Sequence, residues 1–176
     1  MDYKRSAEKR IRKFALQRIL RKAEKYDDRV KKLKDMVKKE DVFIDKCKEY
    51  NKSPSFIDDV KISFDKDLDV SAKTINGEVF LNESLFNDKI EKQVRYIIHE
   101  LTHVMQQDAG KVHGKTKKED YLDDHNEIEA FNTQLEYMCD HETSEEVIEY
   151  IENLLDHHRI SGKERREKAK KLVETL

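Results

Sequence analysis

The stretch IEKQVRYIIHELTHVMQQDAG, residues 90–110, decides how this chain is read. Ile90, Val94, Ile97, Ile98, Leu101 and Met105 recur at the spacing of one helical face. Asp88, with Glu91 three residues on, fits a reciprocal N-terminal cap, and Gly110 is a natural stop. His99, Thr102, His103 and Gln106 fall at i, i+3, i+4 and i+7, roughly opposite the apolar face. Polar groups on a helix with six core positions need a buried partner, because an uncompensated polar group in an apolar interior is costly.

The pair His99 and His103 supplies the reason for that polar stripe. On a helix, positions i and i+4 lie about 40° apart and one turn along the axis. Two imidazoles so placed can meet one zinc ion, each through a ring nitrogen at about 2.0–2.1 Å. Glu100 follows the first histidine, so its carboxylate can reach a water on the metal without being a ligand. The pattern predicts Glu100 as a general base.

A catalytic zinc takes three protein ligands and keeps one position open. The position six residues after His103 is Ala109, so no third histidine stands there. Candidates lie on the next expected helix, in Asn126-Glu127-Ile128-Glu129-Ala130, and in the preceding loop at His113. Glu127 shares a face with Ala130 and Phe131, whereas Glu129 projects about 200° away, so a regular helix offers one or the other. His113 precedes Gly114 and the charged Lys115–Lys118 run, which suits a solvated loop. Tyr121 and His125, just before that helix, are candidates to stabilise a tetrahedral oxyanion. Gln106 is placed to hydrogen-bond a ligand histidine from behind.

His-Glu-x-x-His followed some tens of residues later by Glu-x-x-Ala on a second helix resembles the gluzincin pattern. Compact bacterial and phage zinc peptidase domains, including the ImmA/IrrE type, are similar. The strand–turn–strand ending in Glu78-Val-Phe-Leu-Asn82 before the motif helix extends the resemblance, which covers about residues 58–140. It implies one Zn²⁺ held by His99, His103 and Glu127, with Glu100 as base. It also implies a protein or peptide substrate added to an edge strand. The Gly110…His113-Gly114 segment resembles instead the SprT-like peptidases, which would make His113 the third ligand. A third expectation keeps the peptidase fold as a non-catalytic regulatory or binding protein.

The remainder of the chain is organised around this centre. Charged residues make up 42% of the 176 residues against 36% hydrophobic, with a single proline and four glycines, which favours helices with wide solvated faces. Residues 1–39 carry sixteen Lys/Arg and six Asp/Glu; residues 119–158 carry fourteen Asp/Glu and no Lys/Arg. Ile11, Phe14, Ala15, Ile19 and Leu20, then Val30, Leu33 and Val37, trace one apolar stripe over one long helix or a helix pair ending near Asn51–Ser55. Val60, Ile62 and Phe64 alternate with polar residues, and Asn76-Gly77 suits a two-residue hairpin turn. Thr143–Glu146 and Ser161–Glu164 each match a capping box, so two more helices start there. His141, His157 and His158 lie in the acidic region and read as surface residues.

The predicted fold class is α+β. A small antiparallel sheet packs on the motif helix and on a second ligand-bearing helix. The expected divisions are a basic helical extension at 1–54, the core at 55–142 and C-terminal helices at 143–176. No stretch approaches the roughly 18 apolar residues of a membrane span, and no signal-peptide pattern opens the chain, so a cytoplasmic protein is expected. Cys47 and Cys139 fit no paired-ligand spacing and read as free thiols, buried or half-buried. Nucleic acid is a weaker candidate partner, resting only on the basic head.

Overall fold

The computed structural model describes residues 2–111 and 121–173, with side chains from residue 12 onward. Six α-helices and one three-stranded sheet are found among the described residues, so the class is α+β and mostly helical. The helices are α1 (Asp2–Val37), α2 (Asp41–Glu49), α3 (Ile90–Asp108), α4 (His125–His141), α5 (Ser144–His157) and α6 (Gly162–Val173). The strands are β1 (Ile62–Asp65), β2 (Ala72–Ile75) and β3 (Glu78–Asn82).

The hairpin joins β2 to β3, and both turn residues take positive φ, 50° at Asn76 and 77° at Gly77. The sheet itself corrects the antiparallel expectation. Its order is β1-β3-β2, and β1 runs parallel to β3 in the register Ile62↔Val79 to Asp65↔Asn82. Alternation marks a segment as a strand but carries nothing about which neighbour it pairs with. Residues 66–71 carry the chain past the middle position, which β3 then fills. Val79 and Leu81 of β3 are fully buried in the common core.

Helix α3 is the central element. Thirteen of its nineteen residues are buried, Gln93 through Gln106 with the single exception of Tyr96. Its start differs from the expected cap: the N-cap position is Lys89 and no side chain caps it. The Asp88 carboxylate pairs with Lys92 at 2.9 Å, while Gln93 donates to the Asp88 carbonyl at 3.0 Å. At the other end Lys111 N–H bonds back to the Gln106 carbonyl, and Gly110 sits at φ 73° as the stop requires. Arg95 pins α3 to the C-terminal helices. It pairs with Glu142 at 2.8 Å and lies over the rings of Tyr96 and Tyr150. The Thr143–Glu146 capping box is formed in full, and α6 starts one residue after Ser161.

The helical head breaks earlier than the Pro54 region, at residues 38–40, with no glycine or proline present. Leu33, Val37, Phe43 and Cys47 join the same core cluster as α3, α4 and α6. The apolar stripe of α1 is therefore used in its second half alone. In the first half Phe14, Leu16, Ile19 and Leu20 are 52–70% exposed, which corrects the single continuous stripe. Cys47 is buried, its thiol pushed up to about 11 by burial, and Cys139 is exposed. No helix among the described residues is long and apolar enough to cross a membrane.

Candidate metal centre

Helices α3 and α4 pack closely, and their facing sides bring together His99, His103 and Glu127. All three are buried, at 5, 6 and 8% exposure, and one ligand atom from each lies within 4.8 Å of the others. The Nε2 atoms of His99 and His103 are 3.1 Å apart. Glu127 Oε2 is 3.3 Å from His103 Nε2 and 3.7 Å from His99 Nε2. Ligands at about 2.05 Å on the corners of a tetrahedron stand about 3.3 Å from one another. The three atoms thus already occupy one face of such a tetrahedron. Glu127 Oε2 is buried and has no well-formed hydrogen bond among the described residues, a state a bound cation would relieve. The donor set fits a divalent metal ion.

Electrostatics tell the same story. Burial alone would lower the pKa of His103, but the Glu127 carboxylate 3.3 Å away outweighs it and raises the imidazole to about 9. Glu127 is held well below the ordinary carboxylate range: burial would raise it, and the two histidines overcome burial. Without metal the site is an imidazolium–carboxylate pair, in which a proton stands where a cation would.

Three side chains frame the centre. Glu100, 6% exposed, accepts a hydrogen bond from Thr74 Oγ1 at 2.7 Å, and the same hydroxyl lies 3.0 Å from the Glu100 carbonyl. Thr74 belongs to β2, an edge strand, so the sheet edge runs directly beside Glu100. Tyr121 is half-buried, and its phenol is pushed strongly upward, first by burial and then by the negative charge of Glu127. It stacks on His158 with centroids 5.0 Å apart, while the His99 ring meets Phe131 edge-on at 4.7 Å.

Gln106 is fully buried and touches both ligand helices. Its Nε2 donates to the Asn126 carbonyl at 2.9 Å and to Glu129 Oε2 at 3.0 Å. Both partners can only accept, so the amide orientation is fixed and Oε1 faces His103 Nδ1 at 2.8 Å. Nδ1 must therefore carry hydrogen. In the neutral ring the lone pair is then on Nε2, the nitrogen that faces His99 and Glu127.

Of the expected site residues, His99, Glu100, His103, Glu127, Gln106 and Tyr121 gather here. Glu129 does not join them as a ligand: it projects from another face of α4, where it accepts from Gln106 at 3.0 Å, Tyr50 at 2.8 Å and Lys111 at 3.1 Å. The 200° separation along the helix is the reason. His125 is exposed and lines a separate groove of about 340 Å³ between α2 and α4, with Lys46 and Glu129, which corrects its expected oxyanion role. His113 lies outside the described residues. Sequence reasoning missed Thr74 and placed His158 on the surface, where it is instead half-buried behind Tyr121. A lone threonine in a strand and a histidine in an acidic run carry no signal of their own.

The model for the eCIS core domain matches residues 58–111, which is 54 of the 176 residues. That segment holds the whole sheet and α3 with His99, Glu100 and His103, and it stops short of α4 and Glu127. No curated protein and no solved structure matches the chain.

Proposed function

We propose that this chain is a zinc-dependent metallopeptidase with a zincin-like core, hydrolysing peptide bonds in a protein or peptide substrate. The observation that carries the reading is the buried His99–His103–Glu127 triplet with Glu100 beside it. His99, His103 and Glu127 would hold the zinc, which when bound would supply a Lewis acid to polarise the scissile carbonyl and acidify a water. Glu100 takes the proton from the attacking water and passes it to the leaving amine. The Thr74 hydroxyl holds that carboxylate at one oxygen, leaving the other to work. Tyr121, kept protonated by burial and by Glu127, donates a hydrogen bond to the developing oxyanion. The outer edge of β2 offers backbone groups to an extended peptide, which aligns the scissile bond with Glu100.

The test is metal content and cleavage of a peptide library by wild type and by Glu100→Gln. Wild type is expected to hold one zinc and to cleave. Glu100→Gln is expected to keep the zinc and to lose activity. Equal cleavage by both proteins, or a wild type that holds no metal, overturns the reading.

A further inference from the structure

The geometry points to Gln106 and Glu129 as positioning residues of the metal centre: Glu129, set aside as a ligand, holds the amide that selects the metal-binding tautomer of His103. This inference deepens the metallopeptidase reading and rests on its metal site.

Three features of the chain support it. First, Gln106 is the clasp between the two ligand helices. It lies one turn beyond His103 on α3, and it bonds the carbonyl of Asn126, the residue directly before the ligand Glu127 on α4. A change at Gln106 therefore moves the histidine pair and the carboxylate relative to each other. Second, Gln106 cannot hold its orientation alone. Its Nε2 has two hydrogens, and in a fully buried position both need acceptors. Asn126 takes one and Glu129 takes the other. Remove the Glu129 oxygen and a buried N–H is left unmatched, which loosens the amide whose Oε1 faces His103 Nδ1. A loosened Gln106 no longer favours hydrogen on His103 Nδ1, and the tautomer with its hydrogen on Nε2, where no metal can bind, gains population.

Third, Glu129 is itself fixed from outside. Tyr50, the residue after α2, reaches both its oxygens at 2.8 Å, Lys111 donates at 3.1 Å, and Lys46 of α2 stands 3.6 Å away. Lys111 also donates to the Tyr50 hydroxyl at 2.7 Å. The chain of contacts runs Tyr50 and Lys111 to Glu129, to Gln106, to His103. It links the C-terminal end of α2 and Lys111, three residues past α3, to the metal ligand.

The experiment measures zinc affinity by chelator competition, the melting temperature of the metal-free protein, and the His103 tautomer by ¹⁵N NMR at alkaline pH, where the metal-free ring is neutral. The proteins are wild type, Glu129→Leu, Glu129→Gln and Gln106→Leu. Loss of an outer partner of a metal ligand typically weakens binding about tenfold to a hundredfold. Glu129→Leu and Gln106→Leu are expected to weaken zinc binding by about that factor, with Nε2-protonated His103 appearing in the metal-free spectrum. Glu129→Gln keeps an acceptor for Gln106 and is expected to stay near wild type. Should Gln106→Leu fail to fold, the Glu129 pair decides alone. A wild type that binds zinc, with Glu129→Leu binding as tightly and showing an unchanged tautomer, overturns this inference and leaves the metal site standing. A metal-free melting temperature that falls without any change in zinc affinity also overturns it, since that result describes a purely structural residue. A wild type that binds no zinc fails at the earlier step.

Discussion

The outer half of α1 and the middle of α3 are both helices with large apolar residues, and they meet opposite fates. In α3, Val94, Ile97, Ile98, Leu101 and Met105 are fully buried, and the polar residues between them are buried as well. In α1, Phe14 is 70% exposed and Ile19 64% exposed, with charged side chains on every side of them. Apolar spacing says which residues share a face. It does not say whether another element stands opposite. α3 is covered by the sheet, α1, α2 and α4, whereas among the described residues the first half of α1 packs against no part of the domain until Lys22 and Tyr26 reach Glu83. Burial is also what turns a motif into a site. Had His99 and His103 stood on the outer half of α1, water would satisfy them, and Glu127 would have no reason to be held as an anion beside them.

Substitutions at the two helices should separate sharply. The largest effect is expected at the metal. His103→Ala removes a ligand and should weaken zinc binding by more than the roughly hundredfold of an outer-contact loss, read by chelator competition. Next come paired leucines. Leu101→Ala opens a cavity in a fully buried site and should cost about 2–5 kcal/mol in urea unfolding. Leu16→Ala, at a position 57% exposed, should stay within about 0.5 kcal/mol. Equal costs would show that the outer half of α1 is packed in solution.

A smaller, graded effect is expected with pH. His103 in the metal-free protein titrates at about 9, above its ordinary value of 6.5, so the His103–Glu127 pair stabilises the metal-free fold fully below pH 6.5. That stabilisation fades as pH rises through about 9. Zinc must displace the proton, so its affinity should rise by about tenfold per pH unit toward pH 9 and level off above it. A flat profile between pH 7 and 9 contradicts the pairing. The smallest effect belongs to the arm: deleting residues 2–20 should leave zinc affinity and the melting temperature close to those of the intact chain.

Much of the site was legible in the sequence because its parts are local. His99, Glu100 and His103 sit within one helical turn, so a fixed period places them. The Asn76-Gly77 turn and the Thr143–Glu146 cap are equally short-range, and both form as expected. What the sequence did not disclose is long-range. The parallel pairing of β1 with β3 depends on strand order, the Thr74 bond to Glu100 spans 26 residues, and His158 reaches Tyr121 from a helix beyond the resembling segment. Glu129 was visible as a carboxylate near the site, but its work depends on Tyr50, 79 residues earlier. Periodicity carries no information at that range.

The central claim is that His99, His103 and Glu127 hold one metal ion. X-ray absorption at the zinc edge of the loaded protein tests it most directly. The account predicts one zinc per chain with two imidazoles and oxygen ligands at about 2.0–2.1 Å, and no sulfur. A single imidazole, a sulfur ligand, or an unchanged spectrum in Glu127→Gln would contradict it.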